Sequence, residues 1–194
     1  MATIAEIAYW GAFALWGLIE VAGAFVLRRN LRRQEAADKD RGSILGIIAC
    51  LWAGLFLAGY VSREIPQAGL GLNPALARTL AAIIILLGIA FRQHAIRTLG
   101  RFFTQDVAVS AGQAIIQTGP YRLIRHPAYT GTLISVMGIG LGMINWLSLA
   151  AAAAGFLIGH LFRIRIEEQA LLETVGKSYA DYMRRTKRLI PFLF

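Results

Sequence analysis

Charge is scarce in this 194-residue chain, and what charge there is leans one way. Only 16% of residues are charged against 57% hydrophobic, and 20 basic residues outnumber 11 acidic ones for a net charge of +9. That is too little charge for the surface of a soluble domain. Cysteine is almost missing: Cys50 stands alone inside an apolar run, which excludes a disulfide or cysteine-metal framework and leaves it a packing role. His94 and His160 have no second histidine or acid at ligand spacing, so no metal site is expected. There is no G-x-G-x-x-G after a strand, no P-loop and no G-x-S-x-G elbow. A soluble nucleotide-binding domain is thereby excluded, and any nucleotide-like cofactor must be held by a small membrane body. The positive charge comes with no basic-aromatic recognition motif, so nucleic acid is not expected as a partner.

What is present is apolar sequence in runs long enough to cross a bilayer. Residues 8–27 form the first, with the single acid Glu20; residues 43–62 form the second. The third, 74–91, has Asn73 as its cap and Pro74 in its first turn. Residues 128–162 run for 35 positions without an acidic or basic residue other than His160. That exceeds one crossing, and "INWLS" around Asn145 is the natural break. Two spans result, 128–144 and 146–162, each about 17 residues and roughly 25 Å long. The expected fold class is an all-α integral membrane protein: five transmembrane helices, the last two a tight hairpin, then a C-terminal amphipathic helix. Residues 1–194 read as a single domain. G-x-x-x-G pairs at Gly138/Gly142 and Gly155/Gly159 fit close helix approach. The first run lacks a basic leader and is followed at once by arginines, so it reads as a span and not a cleaved signal.

The basic residues orient the spans. Of the 20 Lys and Arg, all but Arg63 and Arg78 fall in three segments: after the first span, between the third and fourth, and in the tail. A five-span topology puts all three on one side, with the N-terminus outside and the C-terminus cytoplasmic. Anionic lipid head groups then account for the net charge.

The same topology brings two polar clusters together on the cytoplasmic side. One is "GPYRLIRHPAYTG", residues 119–131; the other is "RIRIEEQ", residues 163–169. Each has a plain reading. Arg122 and Arg125 suit interface anchors, Tyr121 and Tyr129 an aromatic belt, His126–Pro127 a helix start, and Glu167 and Glu168 a solvated face. Together they suggest more. Acids one turn beyond a span are costly without a cation nearby, and Arg163 and Glu167 share a helix face at i and i+4. Arginine's fork suits a carboxylate, and glutamate suits an ammonium or sulfonium. Glu20 is a further candidate by its position inside a span, without a named partner; a hydrogen bond that packs two helices is the equal alternative. Residues 105–117 read as a loop over the pocket, residues 171–182 as amphipathic helix, and the closing "RLIPFLF" as lying back on the membrane.

The order G-P-Y-x-x-x-R-H-P-x-Y-x-G, then R-x-x-x-E-E-x-x-L, then G-x-x-Y-x-x-Y and a closing Pro resembles the isoprenylcysteine carboxyl methyltransferases and related phospholipid methyltransferase-like membrane enzymes. The likeness covers residues 105–194, and the length is that of a prokaryotic relative. It implies S-adenosyl-L-methionine as methyl donor in a cytosol-facing pocket. By the same resemblance, His126, Pro127, Ala128 and Tyr129 would line the cofactor with Tyr121 beside them. Gln113, Ala114, Ile115 and Ile116 would cover the adenosine. The family often has histidine where this chain has Gln113, which leaves a backbone contact as the expectation there. Glu167 would hold the methionine portion, and Arg163 would face the acceptor and orient its carboxylate.

The expected function is transfer of a methyl group to a membrane-embedded acceptor. Carboxyl O-methylation of an isoprenylcysteine-like or other lipidic carboxylate stands first, because an ionised carboxylate needs no general base. Its partners would be membrane lipids and a lipid-anchored or amphiphilic acceptor, in the cell membrane or, in a eukaryote, the endoplasmic reticulum. The alternatives are a phospholipid or amine N-methyltransferase, a sterol-type membrane reductase and a small transporter.

Overall fold

Apolar runs become helices here because a backbone in lipid must satisfy its own N–H and C=O groups. The computed structural model describes residues 2–31, 43–100 and 115–191. It contains α1 (Ile4–Leu31), α2 (Ser43–Glu64), α3 (Pro74–Leu99), α4 (Pro127–Gly142), α5 (Trp146–Val175) and α6 (Lys177–Arg185). Single 3-10 turns lie at Pro66–Ala68 and Gly119–Arg122. Among the described residues no β-strand occurs, only isolated bridges at Gly69–Asn145 and Ile124–Lys187. Among the described residues four helices, α1, α2, α3 and α5, are long and apolar enough to cross a membrane. At 16 residues α4 is shorter, about 24 Å at the helical rise. The chain is thus an all-helical integral membrane protein.

The termini of these helices follow local chemistry. The Asn73 side chain accepts from the N–H groups of Ala75 and Leu76, capping α3, and Asn145 does the same for Leu147 and Ser148 at the start of α5. α3 runs through Leu99, beyond the expected end at residue 91. Its added turns carry Arg92, His94 and Arg97, which end the apolar run without breaking the helix. α5 likewise continues past residue 162 to Val175, so membrane span and "RIRIEEQ" are one rod. Gly176, at φ +67°, ends it in a conformation that costs glycine little.

Helix pairing rests on close approaches. α3 packs along α4, α2 along α5, and α1 lies on α3. A Cβ on Gly131 would come within 2.6 Å of the Arg92 backbone nitrogen, and one on Gly155 within 2.6 Å of Gly54 Cα. The two G-x-x-x-G pairs do not face each other. Gly138 meets Ala81 and Ile85 of α3, Gly142 meets Tyr9 of α1, and Gly155 and Gly159 meet α2. The glycine at the α4–α5 approach is Gly140, against Leu149. Tyr9, Trp16, Ile85, Ile139, Phe156, Ile164 and Leu189 fill the core between the helices.

The segment after α6 is held by the protein itself. Through residue 191 it pairs with the residues that lead into α4. Arg125 and His126 donate their backbone N–H groups to the carbonyls of Lys187 and Arg188 at 2.7 and 3.1 Å, and Lys187 returns one to Leu123 at 3.1 Å. Leu189 is buried, and its carbonyl accepts from the Thr130 hydroxyl at 2.7 Å. Backbone pairing, which hydropathy does not register, draws this strap under α4.

Candidate active site at the base of α4 and α5

Pro127 fixes the first turn of α4, so His126 stands at its mouth and Tyr129 one turn inside. Arg163, Glu167 and Glu168 lie on the last turns of α5 that face it. Glu167 Oε1 accepts from the Tyr129 hydroxyl at 2.6 Å and from Arg163 Nε at 3.0 Å. Its Oε2 lies 3.5 Å from His126 Nδ1. The His126 ring stacks on Tyr129, with centroids 5.7 Å apart, and Tyr129 meets the edge of His160 at 5.0 Å.

A second set of bonds supports this one from below. Glu168 Oε1 accepts from Arg125 Nε at 2.8 Å, and Oε2 accepts from Arg188 Nε and Nη2 at 3.0 and 2.8 Å. Arg125 also donates to the carbonyls of Met183, at 3.1 Å, and Thr186. A buried carboxylate is tolerable only when paired and hydrogen-bonded in this way. His126 Nε2 approaches Glu168 Oε1 at 3.4 Å, yet it has no hydrogen-bond partner among the described residues. The His126 contacts are therefore ion-pair approaches, too long or misaligned for good hydrogen bonds. Burial disfavours the imidazolium of His126, but Glu167 and Glu168 outweigh that and raise its pKa above 6.5. On the strap side, burial pushes the Tyr182 phenol up to about 12, which keeps it a neutral donor to the Tyr121 carbonyl at 2.8 Å.

The expected site residues fall as follows. His126, Tyr129, Arg163 and Glu167 converge in the contacts above, with Pro127 and Ala128 forming the turn that carries them. Arg163 is only 1% exposed, so its guanidinium is built into the wall. Tyr121 and Ala128 form a small apolar cluster with Ala95, against which Ile116 packs. Ile115 is half-buried beside Ile116, while Gln113 and Ala114 lie outside the described residues. Among the described residues no group of His, Cys, Asp or Glu is arranged for a metal.

A family model for phospholipid methyltransferases matches residues 76–178, more than half of the chain. The chain belongs to the phospholipid methyltransferase family. The matched segment spans α3 to the first residues of α6, and so contains the whole His126–Tyr129–Arg163–Glu167 cluster. Among curated relatives of this family member, protein-S-isoprenylcysteine O-methyltransferase B of Arabidopsis thaliana is 32% identical over 114 residues, 57% of this chain and 57% of that protein. The protein-S-isoprenylcysteine O-methyltransferase of Saccharomyces cerevisiae is 31% identical over 122 residues, 61% of this chain and 50% of that one. A solved eukaryotic intramembrane Ras methyltransferase, an isoprenylcysteine carboxyl methyltransferase, superposes with a TM-score of 0.52 at 26% identity, covering 76% of this chain and 51% of its own. The chain thus spans about half the length of the curated relatives it matches.

Sequence reading missed three parts of the site. Arg188 and Thr130 tie down the strap, and nothing in their spacing marks that role. Arg92 is the partner that Glu20 lacked: Nε and Nη2 each stand 3.1 Å from a Glu20 oxygen. The usable signal was topological, since the five-span reading puts both opposite charges toward the same membrane face.

Proposed function

We propose that the cluster binds S-adenosyl-L-methionine and transfers its methyl group to the carboxylate of an isoprenylcysteine-like or other lipidic acceptor. The observation that carries this reading is Glu167. One of its oxygens is held by Tyr129 and Arg163, and the other faces the His126 ring at the base of an apolar helix pair. A fixed, buried carboxylate beside aromatic faces fits a donor that carries both an ammonium and a sulfonium. The apolar surface of Ile116, Tyr121 and Ala128 suits an adenine-sized ring. The names of the relatives point to the isoprenylcysteine class of acceptor.

When bound, the donor supplies an activated methyl carbon. That carbon would pass to an acceptor carboxylate oxygen, the C–S bond electrons would stay with the sulfur, and no proton would be released. No general base is required, and none of the clustered side chains has to act as one. Their work is placement, which can contribute roughly 7–11 kcal/mol when two reactants are held in line. Glu167 holds the donor's charged portion, while His126 and Tyr129 form the aromatic wall. Burial disfavours the Glu167 carboxylate, but His126 and Arg163 outweigh that and lower its pKa, and the positive field of Arg163 favours an acceptor carboxylate near by.

In this reading α4 completes a fifth crossing and forms a tight hairpin with α5 through the turn at Asn145. The N-terminus is outside, the C-terminus and site are cytoplasmic, and residues 1–194 act as one domain with residues 105–194 as its catalytic half. The basic residues at one end of the helices support that orientation. The acceptor's lipid tail would enter between helices, with its head group at the α4–α5 base. The family model's phospholipid description favours one second reading, N-methylation of a phospholipid amine. Detergent-solubilised protein offered labelled donor with either a farnesylated cysteine or phosphatidylethanolamine separates them. Label on the cysteine carboxyl supports the proposal; label on the lipid amine alone overturns the choice of acceptor.

A further inference from the structure

Glu20 of α1 and Arg92 of α3 lie 72 residues apart and meet inside the helix bundle. Arg92 Nε stands 3.1 Å from Glu20 Oε1, with side chains 13% and 21% exposed, and Nη2 donates to Oε2 at 3.1 Å. Arg92 Nη1 also donates to the Ala128 carbonyl at 3.3 Å. Ala128 is the residue between Pro127 and Tyr129, so this bond ties Arg92 to the mouth of the proposed site. Gly131, one turn on, lets the Arg92 backbone approach α4.

Arginine offers five donors in a rigid fork, and Glu20 and the Ala128 carbonyl together leave some of them over. Arg163, by contrast, is almost wholly buried and bonded to Glu167. A carboxylate arriving from the membrane side therefore meets Arg92 as the more open of the two cations. Glu20 itself lies outside the matched family segment at residues 76–178, so this contribution comes from α1, a helix that segment does not include.

We infer that Glu20 is a positioning residue: it aims the Arg92 guanidinium at the carboxylate of the acceptor. The inference rests on the methyl-transfer reading above. Arg92 receives the acceptor, and Glu20 acts through Arg92 by fixing its plane and holding its charge against α4. An ionised pair with one partner aimed at a ligand carboxylate also repels that ligand once the aiming charge is reversed.

The test uses the detergent-solubilised 194-residue chain, S-adenosyl-L-methionine and a farnesylated cysteine acceptor, with initial rates for the acceptor and calorimetry for the donor. Glu20→Gln is expected to raise the acceptor KM by roughly tenfold, the size of a lost charge-assisted contact, with donor affinity unchanged. Glu20→Asp recovers most of that loss. The exchanged protein Glu20→Arg with Arg92→Glu keeps an ion pair; it is expected to melt near the wild-type temperature and bind donor while losing acceptor turnover. Unchanged acceptor KM in Glu20→Gln, or wild-type turnover in the exchanged protein, overturns the inference and leaves the pair a packing contact. Should Glu20→Gln fail to fold, the exchanged protein decides the matter. A wild-type protein that binds no donor overturns the methyl-transfer reading first, and this inference with it.

Discussion

The Tyr129 hydroxyl donates to Glu167 Oε1 at 2.6 Å across 38 residues of sequence. This bond joins α4 to α5 at the point where the proposed donor's positive charge would sit. Tyr129→Phe keeps the ring and removes only the hydroxyl that donates. A hydrogen bond to a charged group is worth about 1.5–3 kcal/mol, so donor affinity should fall by about tenfold or more. Calorimetry of the phenylalanine variant checks this, and an unchanged affinity would show that the hydroxyl plays no part in the site.

Glu168 tests the strap. It is 3% exposed and takes bonds from both Arg125 and Arg188. Removing one partner of a buried charge network typically costs about 3–5 kcal/mol, so Glu168→Ala should melt well below wild type. Arg188 is more exposed, its side chain at 31%, and Arg188→Ala should cost less. Thermal unfolding in detergent ranks the two, and the reverse order would mean that Glu168 does not hold the strap.

The pH dependence follows from His126. Glu167 and Glu168 raise its pKa in the folded protein above 6.5. The charged imidazolium therefore contributes its full stabilisation below 6.5, and that contribution is lost as pH rises through the folded value. The thermal midpoint should fall over that window in wild type and stay flatter in His126→Asn. Identical slopes in the two proteins would remove His126 as the titrating group.

Two glycines separate packing from site geometry. Gly131→Ala and Gly155→Ala each place a Cβ within 2.6 Å of a neighbouring helix backbone, and overpacking of this kind costs about 1–3 kcal/mol. Both should lower the melting temperature. Only Gly131→Ala displaces Arg92 beside Ala128, so it alone should also reduce acceptor turnover per folded molecule. Equal turnover in the two variants would contradict the role given to the α3–α4 contact.

These particulars show what a linear sequence can and cannot reveal. Apolar runs announce helices, and Asn73 and Asn145 announce where two of them begin, because hydropathy and capping act over a few neighbouring residues. The i, i+4 spacing of Arg163 and Glu167 likewise placed them on one face, where they are bonded. The far ends of α3 and α5 were hidden because charge ends an apolar run without ending a helix. The strap was hidden because Lys187 and Arg188 are held by backbone bonds to residues 123–126, a pairing that depends on the whole fold. The partner of Glu20 was hidden for the same reason, and G-x-x-x-G spacing could say that helices approach but not which ones.

The most direct test of the account is equilibrium binding of S-adenosyl-L-methionine to the wild-type protein and to Glu167→Gln. The glutamine keeps the size of the side chain and removes the charge that Tyr129 and Arg163 hold in place. The account predicts saturable binding to wild type and a loss of at least about tenfold in the variant, as expected for a charge-assisted contact. Undiminished affinity in Glu167→Gln, measured on folded protein, would contradict it.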